Sequence, residues 1–337
     1  MKKLFLHIGF NKTGSTSIQK NLASNAEALQ EQGFLYPTNT NAPYMQRWQH
    51  VPLAAAVPNR QVPWLSHKKR ATLGQAYRSL FSWLETQTFH TLVLSSEAFG
   101  GIDMGQEKVN WVKEQLAAFD VTVVAYIRRQ DAYFLSTYQE GVKAGGSKPF
   151  DFESYPQARG LHFAQRLSPW RATFGVDKVV VRPFAPQLWP EGELFFDFLS
   201  TIGADRKQML LAEPENEGLD RQAVELLRQL NLLNTKIQDK PTARRAHQQN
   251  LTLVKSLDKI LPRKKFEKQK MQLSSAQTET LRTYFAAENN AALEGSGVSV
   301  DEFFPPTVKH REERLLPKQL NSKMLLHLVA HLAKQRG

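Results

Sequence analysis

The sequence predicts an α/β fold, with a central parallel sheet flanked by helices and a helical C-terminal part. Near-continuous apolar runs alternate with helical patterns over residues 1–204, and helical patterns alone follow from residue 205. The length of 337 residues suits one large α/β domain with an appendage, or two domains. We therefore expect an α/β core at 1–204 and a helical region at 205–337.

Four short runs have the composition of strands that are buried on both faces of a parallel sheet. They are nearly continuous in apolar residues and rich in Val, Ile and Leu. The runs are 3–9, 91–96, 121–127 and 178–184. Because helical patterns lie between them, we expect a doubly wound sheet whose ligands bind at the carboxyl ends of the strands.

The segments between and after these runs have helical periodicity. From Ser17, apolar residues recur every three or four positions, and Gly33 is a plausible stop. In the C-terminal part, a helix is expected over 219–237, with Asp220 as its capping residue. Further helices are expected over 109–119 and 274–293.

The composition is that of an ordinary globular protein and excludes several classes of function. Hydrophobic residues make up 41% of the chain and charged residues 23%, and no apolar run is long enough to span a membrane. The start MKKLFLHIGF lacks a small-residue cleavage site, so no secretory signal is expected. The absence of cysteine excludes disulfides, cysteine nucleophiles and thiolate metal sites. It also fits a reducing cytoplasm, where we expect the protein to act.

The net charge of +12 favours a partner that carries phosphate, sulfate or carboxylate groups. Eleven Lys and Arg stand against three acids in 236–270, which is either a solvated helix face or a surface for an acidic partner. The basic, amphipathic tail from residue 319 either docks on the protein or a second subunit, or makes a peripheral membrane contact. No nucleic-acid-binding module is recognisable, so nucleic acid is not expected as a partner.

The stretch LHIGFNKTGSTSIQ, residues 6–19, has the composition of a phosphate-binding loop between a strand and a helix. Such a turn presents backbone N–H groups to an anion, and the positive end of the helix dipole favours the same place. Lys12 stands two residues before Gly14, whereas a nucleoside-triphosphate loop places its lysine directly after the last glycine. A lysine on the turn itself can reach a bridging oxygen rather than a terminal phosphate.

This loop resembles the 5′-phosphosulfate-binding loop of sulfotransferases that use PAPS (3′-phosphoadenosine 5′-phosphosulfate). The likeness is greatest to the bacterial and carbohydrate-type members, and Ser15 stands where a threonine is common. The resemblance implies a P-loop-type fold, PAPS as co-substrate with PAP as product, and no metal. The loop residues that it implies for PAPS binding are Asn11, Lys12, Thr13, Gly14, Ser15, Thr16 and Ser17.

A second motif of the same family is similar to YIRRQDAYFLSTYQ, residues 126–139. In the family, an arginine at the end of a strand and a serine eight positions later bind the 3′-phosphate, and Arg128 and Ser136 have that spacing. Arg129 and Gln130 stand where the family often has Asn-Pro, which leaves open which arginine is the main contact, although the spacing favours Arg128. Further similarity extends over most of the chain, at 33–38, 92–99, 163–184 and, more loosely, 216–231 and 302–305.

The resemblance implies a sulfuryl transfer in which Lys12 stabilises charge on the leaving oxygen. A hydroxyl acceptor also needs a general base. His50 is one candidate, because related bacterial sequences often carry a histidine in this loop, and Glu97 at the end of the second predicted strand is the other, as base or as the group that orients His50. No metal-ligand spacing is recognisable among the nine histidines.

The acceptor and two competing functions stay open at this point. An acidic or neutral glycan, a glycolipid or a small molecule with a hydroxyl or amine could accept the sulfuryl group. Trp48, Trp64 and Trp170 either stack on sugar rings or pack in the core. A non-catalytic nucleotide- or polyanion-binding protein is the first alternative. A P-loop kinase is the second, but it would need a Gly-Lys-Ser/Thr order that the loop lacks.

Overall fold

The computed structural model describes most of the chain. The described residues are 1–43, 45, 47–60, 73–213, 218–260, 269–307, 312–315 and the single positions 317, 320, 322 and 325. Three features of the sequence therefore lie partly or wholly outside the described residues. These are Trp64, the 261–268 part of the basic segment and most of the C-terminal tail.

Five parallel strands form one sheet in the order β2-β3-β1-β4-β5. The strands are β1 Lys2–His7, β2 Phe34–Leu35, β3 Thr91–Ser95, β4 Phe119–Ile127 and β5 Val179–Pro183. The four predicted strands are confirmed as β1, β3, β4 and β5. The two-residue strand β2 was not predicted, because so short a segment has no periodicity to detect.

The strand order places a topological switch point between β1 and β4 at the centre of the sheet. β1 pairs with β3 on one side and with β4 on the other. The chain leaves β1 towards β2 and β3, and later crosses to β4 and β5. The connections after β1 and β4 therefore diverge, and such a switch point is where open α/β sheets bind ligands.

Helices cover both faces of the sheet. Leu92, Val93 and Leu94 are consecutive in β3 and all fully buried, although successive side chains of a strand point to opposite faces. One face carries a cluster in which Val93 and Tyr126 pack with helices at 15–24 and 194–202. This arrangement confirms the predicted α/β class.

The helices of the described residues alternate with the strands in the first part of the chain and follow one another in the last part. The α-helices are α1 Ser15–Ser24, α2 Ala26–Glu31, α3 Val51–Ala55, α4 Ala76–Leu84, α5 Gln106–Gln115, α6 Gln130–Lys143, α7 Phe163–Phe174, α8 Leu194–Ile202, α9 Arg221–Asn234, α10 Lys240–Ile260, α11 Ser275–Tyr284, α12 Ala286–Ala292 and α13 Val300–Phe303. Short 3₁₀ turns occupy Leu73–Gln75, Glu97–Gly100, Phe152–Gln157, Arg159–Leu161, Val176–Lys178, Pro186–Leu188 and Pro190–Gly192.

Two of the predicted helices are broken where the sequence showed one pattern. The helix expected over 274–293 is α11 and α12, which are separated by Phe285. The helix expected from Ser17 to Gly33 is α1 and α2, which meet at Asn25. Gly33 follows α2 with φ +80°, the left-handed conformation in which glycine commonly ends a helix. The predicted cap of α9 is confirmed, because the Asp220 side chain accepts a hydrogen bond from the Gln222 N–H at 2.7 Å.

The chain divides into two compact units whose segments interleave along the sequence. The first unit comprises Met1–Arg129, Arg159–Glu215 and Phe285–Pro305, and it contains the whole sheet. The second comprises Gln130–Ala158, Asn216–Tyr284 and Pro306–Gly337, with α6, α9, α10 and α11 as its described helices. The division at residue 204 that helical texture suggests stays a prediction.

Among the helices of the described part of the chain, none is both long and apolar enough to cross a membrane.

Trp170 is fully buried and stacks on Phe174 with 6.0 Å between ring centroids. It therefore packs in the core, and the alternative of a sugar-stacking Trp170 is wrong. Trp48 is half-buried.

Candidate anion-binding site

The loop after β1 has a fixed, strained backbone. Ile8 still donates its N–H to the Val124 carbonyl at 3.0 Å, so the turn begins directly above the central strands. Lys12 has φ +65° and Gly14 φ +80°, and α1 starts at the next residue. The left-handed conformation costs a non-glycine residue about 1 kcal/mol or more, and such strain is concentrated at functional sites.

Glycine is required at position 14 for two separate reasons. A side chain is strained at its φ of +80°, and a Cβ there would collide with Leu194 and Phe184. Leu194 starts α8, and α8 is held to the sheet through Asp197. This buried carboxylate accepts from the Tyr126 hydroxyl at 2.7 Å and pairs with Arg182 of β5. The floor beneath the loop is thus fixed by packing and by a buried ion pair.

Ser15, in the first turn of α1, carries a hydroxyl without a partner. The residue is 1% exposed, and within the described residues its Oγ makes no hydrogen bond. The Oγ lies only 2.5 Å from the place that a Cβ on Gly9 would occupy, so residue 9 must also be glycine. A buried hydroxyl without a hydrogen bond costs about 1–3 kcal/mol. Its position at a helix N-terminus fits an anionic oxygen as its partner.

The other predicted loop residues divide into surface groups and one buried group. Asn11 and Ser17 are exposed, and Lys12, Gly14 and Thr16 are half-buried. Thr13 is fully buried, and its hydroxyl donates to the Phe10 carbonyl at 2.5 Å. The hydroxyl of Thr13 therefore closes the turn. Its place in the PAPS-binding set stays a prediction.

Arg128 joins the end of β4 to the loop. Its guanidinium donates to the Lys12 carbonyl at 3.1 Å and lies 5.2 Å from the centre of the Phe184 ring. The neighbouring Arg129 instead lies over the Phe304 ring at 4.8 Å. Of the two arginines that the sequence left open, the structure brings Arg128 to the phosphate-type loop.

Ser136, the predicted partner of Arg128, lies on α6 in the second unit and is half-buried. Arg128 belongs to the first unit. Their joint binding of one phosphate group stays a prediction.

A buried polar network lies directly behind the loop. The Ser95 hydroxyl accepts from the Gln19 amide at 3.0 Å and is hydrogen-bonded to Nδ1 of His7 at 2.7 Å. Burial lowers the pKa of His7 to about 3, so the ring is neutral. These bonds tie together β1, β3 and α1, the three elements that carry the loop and the start of the Glu97 turn.

His50 is buried, and both of its ring nitrogens face backbone groups. Nε2 lies 2.8 Å from the Pro37 carbonyl and must carry the proton, which leaves Nδ1 to accept from the Ser95 N–H at 2.7 Å. The His50 N–H also donates to the Ser95 carbonyl at 3.0 Å. Burial lowers the pKa of the ring to about 4. In this arrangement no lone pair of the ring is available for a substrate proton, and His50 holds the end of β3 in place.

Glu97 starts the 3₁₀ turn that follows β3, at the carboxyl edge of the sheet. The side chain of Ser96 caps this turn by accepting from the Ala98 N–H at 3.2 Å. The turn ends at Gly100, which packs so closely on the loop that a Cβ there would lie 2.6 Å from the Ile8 carbonyl oxygen. Glu97 and the loop of Lys12 are therefore parts of one tightly packed assembly.

Arg166 on α7 is a residue of this site that sequence reasoning missed. Its guanidinium lies 3.8 Å from the centre of the Phe10 ring, which stacks in turn on Phe163. One arm donates to the Gly100 carbonyl at 2.7 Å and the other to the Gly160 carbonyl at 2.8 Å. A charged residue within the apolar run FAQRLSPW was the available signal, but helical arginines are usually exposed.

Within the described ranges, no group of three or more His, Asp or Glu side chains could hold a metal ion. The cations at the loop are instead Lys12 and Arg128. The arrangement as a whole provides a helix N-terminus, the Ser15 hydroxyl, which has no hydrogen-bond partner among the described residues, and the positive side chains of Lys12 and Arg128. It is chemically suited to a phosphate or sulfate group.

Comparison with known proteins gives no family model that matches this chain. An uncharacterized protein of Archaeoglobus fulgidus is 28% identical over 152 residues, which is 44% of this chain and 41% of that protein. The chain thus matches less than half the length of this relative. The crystal structure of a sulfotransferase from Alicyclobacillus acidocaldarius aligns with a TM-score of 0.42 and 13% identity, over 72% of this chain and 99% of the other. At these levels, neither likeness identifies a function.

Proposed function

We propose that this protein is a sulfotransferase that moves a sulfuryl group from PAPS to a hydroxyl group of an acceptor. The observation that carries the proposal is the unpartnered, buried hydroxyl of Ser15 at the start of α1, beside the left-handed Lys12. An ordinary strand-to-helix turn needs neither feature. The resemblance of the loop sequence to PAPS-binding loops supports the same conclusion.

The residues present fit PAPS. The N-terminus of α1 and the hydroxyl of Ser15 would hold the 5′-phosphosulfate, since both offer hydrogen-bond donors and neither carries a negative charge that would repel the anion. Arg128, which donates to the Lys12 carbonyl, would hold the 3′-phosphate. PAPS would supply a sulfuryl group on a phosphate leaving group. No metal is part of the proposal.

Lys12 would stabilise the charge that develops on the leaving oxygen. When the acceptor oxygen bonds to sulfur, the bond between sulfur and the bridging oxygen breaks, and that oxygen becomes negative. A cation fixed near this oxygen before the reaction lowers the barrier without reorganisation. The left-handed backbone at Lys12 and the Arg128 bond to its carbonyl hold the main chain from which the lysine side chain extends, which supports this role.

Glu97 is the stronger candidate for the general base. It lies at the carboxyl end of β3, and its turn packs against the loop. His50 is held neutral with both nitrogens bonded to the backbone, so its contribution is to fix the end of β3. Glu97 would accept the proton of the acceptor hydroxyl as the new bond to sulfur forms.

Calorimetric titration with PAP, beside ATP with magnesium, tests the donor site. We expect magnesium-independent binding of PAP and a loss of about 10- to 100-fold in affinity in Arg128→Gln, because this arginine would lose charge-assisted bonds to a phosphate. Arg129→Gln is the matched control, since Arg129 lies over Phe304. A preference for ATP with magnesium would favour a kinase. Binding of general polyanions but not PAP would favour the non-catalytic alternative.

A saccharide or glycolipid acceptor and action in the cytoplasm belong to the same proposal. The excess of positive charge supports an acceptor that already carries acidic groups. Transfer of labelled sulfate to a panel of desulfated glycans, phenols and amines tests it. Activity on phenols or amines alone would contradict a glycan acceptor and leave the sulfotransferase proposal intact.

A further inference from the structure

Two cations from distant parts of the chain lie on one tryptophan ring. The Nζ of Lys20 is 5.1 Å from the centre of the Trp48 ring, and the guanidinium of Arg47 is 5.5 Å from it. Both distances are within the range of about 6 Å over which an aromatic face attracts a cation. Lys20 lies on α1, whereas Arg47 and Trp48 lie in the connection between β2 and α3.

The position of Arg47 is fixed by its backbone. The Arg47 carbonyl accepts from the Asn39 N–H at 2.8 Å, and the Trp48 carbonyl accepts from the Tyr36 hydroxyl at 2.5 Å. Arg47 also has φ +53°, a conformation that is uncommon for a residue with a side chain. The half-buried indole and the exposed arginine therefore belong to an ordered loop, which His50 closes on Pro37.

The segment that carries Arg47 is depleted of acids. No Asp or Glu occurs from residue 32 to residue 84, although this segment contains six Lys and Arg. A solvated surface normally mixes both signs of charge. No acidic residue near Arg47 in the sequence can therefore neutralise it.

The strand order places this patch on the acceptor side of the proposed site. The loop of Lys12 follows the central strand β1, and Arg128 follows β4 on one side of it. Arg47 and Trp48 follow β2, and Glu97 follows β3, both on the other side. With the nucleotide held over β1 and β4, the remaining part of the carboxyl edge is the part over β3 and β2.

We infer that Lys20, Arg47 and Trp48 form a subsite for a carboxylate or sulfate group that the acceptor already carries. This inference rests on the proposed sulfotransferase function. The two cations bind the anionic group, and the indole ring keeps them in place and excludes water from one side of it. The substrate class is accordingly an acidic saccharide, and its anionic group directs a hydroxyl towards Glu97.

Binding of three matched oligosaccharides in the presence of saturating PAP tests the subsite. The probes are a short hexuronate oligosaccharide, its carboxyl-reduced neutral form, and that neutral form carrying sulfate esters. We expect the wild-type protein to bind an acidic form at least tenfold more tightly than the neutral form. Lys20→Gln and Arg47→Gln should each weaken this binding about fivefold, the size of one partly exposed charge contact. The form that binds more tightly identifies the anionic group.

Lys2→Gln is the matched control. Lys2 also lies over an aromatic ring, that of Phe89 at 3.7 Å, but at the amino edge of the sheet. It should leave binding of all three probes unchanged, and PAP affinity should be the same in all four proteins.

Three results would overturn the subsite. These are equal binding of acidic and neutral forms, no binding of any form, and an equal loss in Lys2→Gln, which would indicate general attraction to the net positive charge. A wild-type protein that does not bind PAP would instead contradict the proposed function, so the two failures are distinguishable.

Discussion

Replacing Gly100 by alanine should lower sulfate transfer strongly while the protein still folds. Gly100 ends the turn that starts at Glu97 and packs on the backbone of the phosphate-type loop. A Cβ at this position would lie 2.6 Å from the Ile8 carbonyl oxygen and nearer still to that of Gly9. Both are backbone atoms, so no side chain can rotate out of the way.

The size of the effect follows from this geometry. Real Cβ atoms essentially never approach another atom within 3.0 Å, so the turn and the loop must separate by about 0.8 Å to clear the Gly9 carbonyl oxygen, the nearer of the two. Overpacking of this kind typically costs about 1–3 kcal/mol of stability. The displaced groups include Glu97 and Lys12, and a misplacement approaching 1 Å lowers catalytic rates by on the order of 10²-fold. We therefore expect a folded protein with a large loss of transfer.

Three measurements on the Gly100→Ala protein check this reasoning. They are the free energy of unfolding in urea, the rate of sulfate transfer and the affinity for PAP. Gly105→Ala is the control, because a Cβ on Gly105 meets nothing within 4 Å. It should change stability by less than about 0.5 kcal/mol and leave transfer unchanged. Wild-type PAP affinity and transfer in Gly100→Ala would refute the close packing of turn and loop.

Three further predictions follow from other parts of the site. Ser15→Ala should leave stability unchanged or raise it by about 1 kcal/mol, since it removes an unpartnered hydroxyl, while PAP affinity falls about tenfold. Arg166→Lys should lower kcat with little change in the KM for PAPS, because lysine cannot hold two carbonyls in a fork. Between pH 6.5 and pH 4, stability should fall by about 3 kcal/mol through His50 alone, since only the unfolded chain binds its proton there.

Each of these predictions has its own control. A stability loss in Ser15→Ala would show that the hydroxyl has a structural partner. Arg171→Lys is the matched control for Arg166→Lys. Arg171 also lies on α7 and also donates to backbone carbonyls, but to those of residues 291, 292 and 294. An equal fall of kcat in both variants would exclude a positioning role for Arg166. For the pH dependence, the free energy of unfolding in urea is measured between pH 4 and 6.5. His50→Gln should vary less with pH than the wild-type protein, and His90→Gln should vary as much as the wild-type protein.

The sheet could be predicted from the sequence because its strands are buried on both faces. Residues 91–96 and 121–127 are nearly continuous in apolar residues, and such runs stand out without any knowledge of their partners. Strand β2 has only two residues and pairs at the sheet edge, so its existence depends on β3 being present. The order of the strands was likewise beyond sequence reasoning, since it depends on pairing between distant segments.

The candidate site was accessible from sequence only where its chemistry is local. The loop around Lys12 is contiguous, so its glycines, hydroxyls and lysine could be recognised together. The roles of His50 and Arg166 depend on backbone groups that are distant in the sequence, the Ser95 N–H and the Gly100 carbonyl. Nothing in the histidine's own neighbourhood distinguishes a base from a ring bonded on both sides.

The sequence by itself determined the α/β class, the loop rich in Gly, Ser and Thr that follows β1, and the arginine that follows β4, because each depends on a short contiguous pattern. The tertiary structure alone decided that Arg128 contacts the loop and that, among the described residues, the buried Ser15 hydroxyl has no hydrogen-bond partner. It also decided that Lys20 and Arg47 both lie over the Trp48 ring. The physical reason is that burial and hydrogen bonding are properties of pairs of groups. Folding brings such pairs together from positions that are far apart in the sequence, so a local sequence pattern does not predict them.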